Sequence, residues 1–353
     1  MAVPSPPASL TSIAQSIEAR LDTLLEAEES RWSALDSELR GPLVAIRQLV
    51  VAGGKRLRPA FCYWGFVGLG GSPDDPAWVD AGAAFELLHA FALFHDDVMD
   101  GSSTRRGERT IHLSYADRHD EGGWAGEARR FGEGVAILVG DLAFVYADQL
   151  LHDAPPAARR LWTELRIELN IGQYLDIVGT ARGERSRVIA ERIARFKSAK
   201  YTIERPLHLG ALLADPGSAA MLPALSAYGL PLGDAFQMRD DVLGAFGDQD
   251  VTGKPVGDDL REGKPTPLLA IAHERATAAE LSVLRLVGRP DLSTNDVGRI
   301  QAVLVETGAL AALEAQIDEL TTTAIGSLAS SGLTTRAQVA LEELARYVAW
   351  RSA

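Results

Sequence analysis

Residues 86–100 read ELLHAFALFHDDVMD, an apolar run that ends in three acidic side chains. The apolar composition continues upstream, so the stretch from about Trp78 to Asp100 predicts one helix that is apolar almost all round. Such a helix is typical of the centre of a bundle and not of its surface. Glu86 and His89 interrupt the apolar run, which is shorter than the roughly 20 residues that cross a bilayer. We therefore expect a buried helix and no stable membrane anchor.

Apolar residues recur at three- and four-residue spacing along nearly the whole chain, as in Ile13, Ile17 and Leu21. This spacing is typical of amphipathic helices, and alternating strand patterns are scarce. Clusters of Gly and Pro separate the apolar segments. No unit of about 20–50 residues repeats, so a solenoid is not expected. The sequence therefore predicts an all-α fold, a single large helical bundle.

The first nine residues, 1–9, are rich in Pro, Ala and Ser. They lack a basic segment leading into an apolar run, so they do not resemble a signal peptide. We expect residues 1–9 to form a disordered tail and residues 10–353 to form one all-helical domain.

The chain is strongly acidic, with 48 Asp and Glu against 35 Lys and Arg and a formal net charge of −13. This balance argues against nucleic acid or an anionic membrane as a partner, because both are held by clustered basic residues. The only cysteine is Cys62, so no intramolecular disulfide is possible. A reducing cytoplasm is the compartment we expect.

The first acidic cluster is Asp96-Asp97-Val98-Met99-Asp100. Asp96 and Asp100 are four residues apart, so on a helix they lie on one face with Asp97 beside them. Three carboxylates repel one another unless a cation lies among them. Hard oxygen ligands of this kind suit Mg²⁺, which binds substrate phosphates at the same time. A solvated helix end is the alternative interpretation of this cluster alone.

A second acidic pair, Asp240-Asp241, lies on another apolar helical run. Gly244 stands where a fifth-position acid would complete the same pattern. By itself the pair is also typical of a helix terminus. Together with the first cluster it suggests two acidic walls that face each other across a cavity.

Basic residues accompany both acidic clusters. Lys55 and Arg58 lie in the glycine-led stretch GGKRLRP, and Arg105-Arg106 follow the first cluster directly. A diphosphate is the ligand that these features share, because Arg binds phosphate oxygens in pairs and Lys acts as a point charge.

The order of these motifs resembles that of the trans-isoprenyl diphosphate synthases, also called polyprenyl synthetases. The resemblance covers residues 40–270 and is most like the bacterial geranylgeranyl diphosphate synthases. It rests on GGKRLRP at 53–59, ELLHAFALFHDDVMD at 86–100, RRG at 105–107, GD at 140–141, GQYLD at 172–176, FKSAKY at 196–201, FQMRDD at 236–241 and TGKPVGDDLREGKPT at 252–266. It implies the isoprenoid synthase type of helical bundle around a central cavity, and a homodimer.

The resemblance also implies the roles of individual residues. Three Mg²⁺ ions on the allylic diphosphate would be held by Asp96, Asp97, Asp100, Asp240 and Asp241. The same diphosphate would contact Arg105, Lys197 and Lys254. Isopentenyl diphosphate would be bound by Lys55, Arg58, His89 and Arg106, with Lys264 near the cavity mouth. Behind these would lie Gln173 and Asp176, with Ser198 and Gln237 near the forming carbocation and Asp258 near the third metal. Gly244 departs from the family pattern, and water or Asp258 would fill that gap.

Two other functions share some of these features. A class I terpene cyclase would carry an Asn-Asp motif followed by Ser and Glu, but Asn295-Asp296 lacks both. A cyclase also has no use for the second diphosphate site that Lys55, Arg58 and Arg106 indicate. A non-catalytic subunit of a heteromeric synthase would be expected to lose its acidic clusters, whereas the first is intact here.

The length of the product depends on the residues that limit the hydrocarbon pocket. In the family these stand four and five positions before the first Asp, here Ala92 and Phe91. The resemblance therefore implies geranylgeranyl diphosphate, with farnesyl and longer polyprenyl diphosphates as alternatives. A helical wheel alone points Phe91 away from the Asp face.

Overall fold

A computed structural model describes residues 5–247, 256–289 and 291–351. Helices make up nearly all of this part, and its only strands are the short antiparallel pair β1 (Thr104–Arg105) and β2 (Glu108–Arg109). The α-helices are α1 (Ala8–Ser33), α2 (Arg40–Val51), α3 (Leu57–Gly68), α4 (Ala77–Asp100), α5 (Ile111–Glu121), α6 (Ala128–Leu150), α7 (Pro156–Arg182), α8 (Arg187–Ala194), α9 (Arg205–Ala214), α10 (Leu222–Phe246), α11 (Asp258–Glu262), α12 (Pro267–Arg275), α13 (Ala278–Leu284), α14 (Thr294–Glu306), α15 (Ala309–Ser327) and α16 (Thr335–Trp350). The predicted all-α fold is confirmed.

Short helices of other types join these elements. Three 3₁₀ turns cover Ser37–Leu39, Pro216–Met221 and Leu328–Ser330. Between α8 and α9, residues Arg195–Glu204 form a π-helix. Helices of this wide type are rare and often occur at functional sites.

Helix α4 has the central position that its composition predicts. It begins after Pro76, and Gly101 ends it in the left-handed conformation with φ 66°. Phe85, Leu87 and Leu88 on α4 are fully buried. The predicted bounds of this helix were right to within one residue.

The buried apolar residues form two clusters. The larger contains the interior of α1 to α7, α9 and α16, and the smaller joins α10 to the helices from α11 to α15. Helix α10 contributes to both, with Leu225 and Tyr228 in the first and Met238 and Val242 in the second. The acidic pair of α10 therefore lies where the two clusters meet.

One helix in the described ranges, α4, is long and apolar enough to cross a membrane. Helices α14 and α15 meet at a bend of 62°, and together they would count as a second candidate only if the bent pair formed one span. Within α4, 61% of the most apolar window is buried in the protein. The core helix of a soluble protein has the same properties, so this feature is weak evidence for a span. The N-terminal helix α1 begins at Ala8, two residues inside the predicted tail.

Candidate active site

A cavity of about 580 Å³ lies between α4, α7, the π-helix, α10 and the loop before α3. Most of the predicted site residues line it, although they come from segments far apart in the sequence. They are Lys55, Arg58, His89, Asp96, Arg106, Lys197, Ser198, Gln237, Asp240, Asp241, Asp258 and Lys264. Asp97, Asp100 and Arg105 lie beside the cavity without lining it. Lys254 lies outside the described residues.

Each carboxylate of the first acidic cluster has a cationic partner. Asp96 accepts from Lys197 at 3.2 Å, Asp97 accepts from Arg105 Nε at 2.8 Å, and Asp100 lies 2.9 Å from Lys264 Nζ. Burial would raise the pKa of Asp96, but the charges of Lys197, Lys264 and Arg105 outweigh it and lower that pKa. Asp96 is therefore ionised, as a metal ligand must be.

Lys197 is placed at this cluster by the π-helix. Its ammonium group also donates to Asp176 on α7 at 2.6 Å. A Cβ on Gly172 would lie 2.4 Å from the Lys197 backbone nitrogen, so only glycine allows α7 and the π-helix to approach so closely here. This explains the glycine of the GQYLD motif. Gln173, on the next position of α7, donates to Asp96 at 3.0 Å, which is the supporting position that the sequence predicts.

The second acidic wall is balanced differently. Asp240 pairs with Arg351, which follows α16. Asp241 is buried and accepts from Gln237 at 2.8 Å, while its Oδ2 has no hydrogen-bond partner among the described residues. Burial raises the pKa of Asp241 well above its ordinary value, and the charges of the nearby Asp259, Asp240 and Asp176 add to this shift. Among the described residues, no Lys or Arg forms an ion pair with this carboxylate.

Gly244 makes room for an acid from another helix. A Cβ on Gly244 would lie 1.9 Å from the Asp259 carboxylate, which occupies the space that a longer residue would fill. Asp258 and Asp259 both line the cavity. The resemblance implied water or Asp258 as the substitute for the missing acid of α10, whereas Asp259 is the residue that contacts Gly244.

The donor set fits a hard divalent cation. Carboxylate oxygens are the ligands that Mg²⁺ prefers. The buried Oδ2 of Asp241 has no hydrogen-bond partner in the described ranges, and the carboxylates of Asp259, Asp240 and Asp176 lie near enough to raise the pKa of Asp241. In the described ranges no three His, Cys, Asp or Glu side chains converge closely enough to chelate an ion as they stand. On the first wall the carboxylates are paired with Lys and Arg, and a metal would have to replace these pairs.

Arg56 holds the turn that carries the basic wall, a role that the sequence pattern did not predict. Arg56 adopts the left-handed conformation with φ 48°, and its buried guanidinium pairs with Glu86 and donates to the carbonyl of Val50. These contacts fix the turn, so that Lys55 and Arg58 on either side line the cavity. The residue was visible inside GGKRLRP, but its burial was not.

Arg58, His89 and Tyr201 each carry a buried polar group near this wall. Arg58 lies 4.3 Å over the Tyr201 ring and donates to Thr202 at 3.2 Å. His89 Nδ1 and the Tyr201 hydroxyl are buried without a hydrogen-bond partner in the described part of the chain. Burial and the charges of Arg58 and Arg106 hold the pKa of His89 well below its ordinary value. His89 is therefore neutral and can donate one hydrogen bond.

A smaller cavity of about 140 Å³ extends from the first acidic cluster between α4 and α7. Asp96, Lys197 and Ser198 line both cavities, whereas Phe91, Ala92 and Leu169 line only the smaller one. Phe91 therefore faces this space, contrary to the helical-wheel estimate. An apolar pocket beneath a cluster of charged groups suits an amphiphile with an ionic head and a hydrocarbon tail.

Comparison with known proteins agrees with this geometry. A family model described as polyprenyl synthetase matches residues 43–305. The chain belongs to the polyprenyl synthetase family. Members of this family are prenyltransferases, and the isoprenoid synthase type of bundle is the fold they share.

Individual relatives extend the match beyond the family model. A geranylgeranyl diphosphate synthase of Mycobacterium tuberculosis is 36% identical over 282 residues, which are 78% of this chain and 75% of the relative. A geranylfarnesyl diphosphate synthase of Aeropyrum pernix is 33% identical over 271 residues, 74% and 79% of the two chains. A solved structure is also similar, that of a geranylgeranyl pyrophosphate synthase of Corynebacterium glutamicum complexed with isoprenyl diphosphate and magnesium. It superposes on this polyprenyl synthetase with a TM-score of 0.92, and the two sequences are 36% identical. The superposition covers 97% of this chain and 99% of the other.

Proposed function

We propose that this polyprenyl synthetase joins isopentenyl diphosphate head to tail to an allylic diphosphate and releases diphosphate. The observation that carries the proposal is the arrangement of one cavity with acidic walls on α4 and α10, a separate basic wall on α3 and an apolar pocket below. Two anionic head groups and one hydrocarbon tail fit this arrangement. Product analysis with labelled isopentenyl diphosphate and each allylic primer tests it directly.

The acidic walls would bind the allylic diphosphate through Mg²⁺. Asp96 and Asp100 would hold ions on one side and Asp240 and Asp241 on the other, with Asp259 beside Gly244, and we propose three ions in all. Asp97, which the resemblance implies as a further metal ligand, pairs with Arg105 and would have to release that arginine to bind an ion. Bound Mg²⁺ supplies positive charge that stabilises the departing diphosphate.

Cations of the chain would add to that charge. Lys197 and Arg105 lie at the first cluster and would turn from their carboxylates to the diphosphate oxygens. Lys264 lies 2.9 Å from Asp100, so we assign it to the allylic diphosphate and not to isopentenyl diphosphate. Lys254 would complete this set.

The basic wall would bind isopentenyl diphosphate. Lys55, Arg58 and Arg106 supply charge, and neutral His89 supplies a hydrogen bond. The allylic C–O bond breaks, the alkene of isopentenyl diphosphate attacks the resulting cation, and a proton leaves the neighbouring carbon. Ser198 and Gln237 line the cavity where the cation forms, and the released diphosphate is the base that we propose for the proton. The cavity must exclude water during the reaction, because water would convert the carbocation to an alcohol.

The competing cyclase reaction needs one diphosphate only. A cyclase would consume a single allylic diphosphate and release a hydrocarbon or alcohol without isopentenyl diphosphate. The separate basic wall around Lys55 and Arg58 favours two substrates. Full turnover of an allylic diphosphate alone would reject the proposed condensation.

The product that we propose is geranylgeranyl diphosphate, with farnesyl and longer diphosphates as alternatives. Phe91 narrows the tail pocket while Ala92 leaves it open. Replacing Ala92 with Phe should shorten the main product from twenty carbons towards fifteen. The thermal stability of this variant must be compared with wild type, because overpacking costs about 1–3 kcal/mol.

We also propose a cytoplasmic homodimer in which residues 10–353 of each chain form one catalytic domain. Helices α6 and α7 carry large apolar side chains exposed to solvent: Ile137, Leu138, Val145, Ile167, Ile171 and Tyr174. Clustered exposed apolar residues are typical of surfaces that another protein covers. Measurement of the molar mass in solution tests the dimer, and charged substitutions of Leu138 and Tyr174 should release monomers.

A further inference from the structure

The π-helix between α8 and α9 carries residues that serve both the acidic and the basic side of the cavity. Lys197 donates to Asp96 at 3.2 Å on the acidic side. Five positions later, Thr202 accepts from Arg58 at 3.2 Å on the basic side, and both residues line the cavity. Backbone hydrogen bonds of a π-helix join residues five apart, so these two residues lie on one face. In an α-helix, at about 100° per residue, they would point about 140° away from each other.

Two neighbouring helices pack closely against the π-helix. A Cβ on Gly172 of α7 would lie 2.4 Å from the Lys197 backbone nitrogen, and a Cβ on Gly233 of α10 would lie 2.7 Å from the carbonyl oxygen of Ala199. These glycines let both helices approach the backbone of the segment. Contacts of this kind set the distance between the helices, but they have no direction that would favour a π-turn over an α-turn.

Glu168 on α7 supplies directional contacts. Its carboxylate accepts from Arg205 Nε at 2.7 Å and from Arg205 Nη2 at 2.6 Å, and it also pairs with Lys200. Lys200 and Arg205 are five residues apart, and the backbone N–H of Arg205 donates to the carbonyl of Lys200, which is a π-turn. The carboxylate therefore bridges two cations at the spacing of the π-helix, and the same spacing separates Lys197 from Thr202.

The cluster of Glu168, Lys200 and Arg205 is set back from the substrate site. None of the three lines either cavity, and Glu168 is 7% exposed. Burial would raise the pKa of Glu168, but the hydrogen bonds from Arg205 and Lys200 outweigh burial and lower that pKa. The carboxylate is therefore ionised. An ionised acceptor forms stronger hydrogen bonds with guanidinium and ammonium groups than a neutral one does.

We propose that Glu168 is a positioning residue for the condensation. It binds Lys200 and Arg205 one π-turn apart, and it thereby selects the helix type that directs Lys197 to the first acidic cluster. The same winding directs Thr202 to Arg58. This role rests on the proposed function, in which Lys197 binds the allylic diphosphate.

Glu168→Gln keeps the shape of the side chain but removes the charge that holds both cations. Lys197 should then be misplaced, and kcat should fall by about 10- to 100-fold, the loss that a misplacement of about 1 Å can cause. The KM for isopentenyl diphosphate should rise in the same variant, because Thr202 would no longer hold Arg58. Glu168→Asp keeps the charge and should recover part of the loss in kcat.

A double-mutant cycle between Glu168→Gln and Lys197→Ala separates positioning from stability. If Glu168 acts through Lys197, Glu168→Gln should have little further effect on kcat once Lys197 is replaced. Titration calorimetry with inorganic diphosphate and Mn²⁺ gives the same cycle as a binding measurement that does not depend on turnover. Thermal melts of the full chain show whether each variant folds. If Glu168→Gln does not fold, Lys200→Met takes its place, because it leaves the buried carboxylate paired with Arg205.

Asp80→Asn is the control for loss of an ion pair between helices. Asp80 lies on α4 and pairs with Arg20 of α1 at 2.7 Å. It lies about 24 Å from Asp96 along the helix, at about 1.5 Å per residue. The kcat of this variant should equal that of wild type.

Four results separate the possible failures. If wild type forms no condensation product with any primer, the proposed function fails, and the calorimetric cycle still tests the link between Glu168 and Lys197. If Glu168→Gln lowers the melting temperature but leaves kcat and diphosphate binding unchanged, Glu168 has a structural role only and the proposal is rejected. Equal losses in the wild-type and Lys197→Ala backgrounds reject it as well, since Glu168 would then act elsewhere. A loss of the same size in Asp80→Asn would also reject it, because any broken ion pair would have this effect.

Discussion

The two acidic walls of the cavity are built from the same residue type but are balanced in different ways. On α4 each carboxylate has its own cation, and the Asp96 side chain is 17% exposed. On α10, Asp240 is 41% exposed and pairs with Arg351, while Asp241 is buried among other acids. The first wall is thus neutralised by residues of the catalytic motifs. The acids of the second wall are balanced only in part, by Arg351 from far along the chain.

The largest effect on turnover should come from removing a single acid from either wall. Asp96→Ala and Asp240→Ala should each lower turnover by orders of magnitude, because ions that stabilise the leaving diphosphate would be lost. The measurements are steady-state kinetics with Mg²⁺, and circular dichroism to show that the fold is intact. Full activity in excess chelator would refute the role of metal on both walls.

The next effect separates the two diphosphate sites. Lys55→Ala or Arg58→Ala should raise KM mainly for isopentenyl diphosphate, and Lys254→Ala mainly for the allylic substrate. Loss of a charge-assisted hydrogen bond costs about 1.5–3 kcal/mol, or about ten- to hundredfold in KM. Equal weakening of one substrate by all three variants would indicate a single site and favour the cyclase.

Gly244→Asp tests how the second wall replaces its missing acid. The pattern of the family predicts an unchanged reaction type and at most an altered metal affinity, but the new side chain would collide with the Asp259 carboxylate. We expect a loss of stability of about 1–3 kcal/mol from overpacking, together with weaker binding of Mn²⁺. The double variant Gly244→Asp/Asp259→Gly should recover both properties. A fully stable single variant with unchanged metal affinity would show that Asp259 is not needed there.

Lys55 should make the binding of isopentenyl diphosphate dependent on pH. Burial, then the charge of Arg351, lowers the pKa of Lys55 to about 8, although Asp240 opposes the shift. Below this pH the ammonium form is present and binds the diphosphate. Affinity should therefore fall as the pH rises above about 8, by at most about tenfold per unit. Lys55→Arg, which stays charged, should flatten the profile of KM against pH, and an equally steep profile in that variant would exclude Lys55 as the cause.

The smallest effect concerns Arg351, which would compete with a metal ion for Asp240. Arg351→Met removes an ion pair that metal binding must break, so Mn²⁺ should bind more tightly in the absence of substrate. With Asp240 partly exposed, we expect about two- to fivefold, or about 0.5–1 kcal/mol. Titration calorimetry measures this, with Arg346→Met as the control because Arg346 pairs with Glu342 on the same helix at 2.8 Å. Unchanged or weaker binding would contradict the competition.

Local spacing in the sequence predicted the helices and the positions of the carboxylates well. Helix α4 ends at Asp100 as its composition indicates, and the motifs around Lys55, Asp96 and Asp240 do meet at one cavity. The pattern failed for Phe91, because a helical wheel treats α4 as a cylinder with one useful face. In the structure α6 and α7 both pack against α4, so a residue away from the Asp face still borders the tail pocket.

The sequence by itself determined the all-α fold, the family and the set of charged residues available for catalysis. These follow from periodicity and from short motifs, which act over a few residues. Only the tertiary structure decided that Asp259 lies over Gly244, that Arg351 pairs with Asp240 and that the Phe144 ring contacts Phe91. Each of these contacts joins residues on different helices, and Arg351 and Asp240 are 111 positions apart. Contacts of this kind depend on how the helices pack, which no local pattern records.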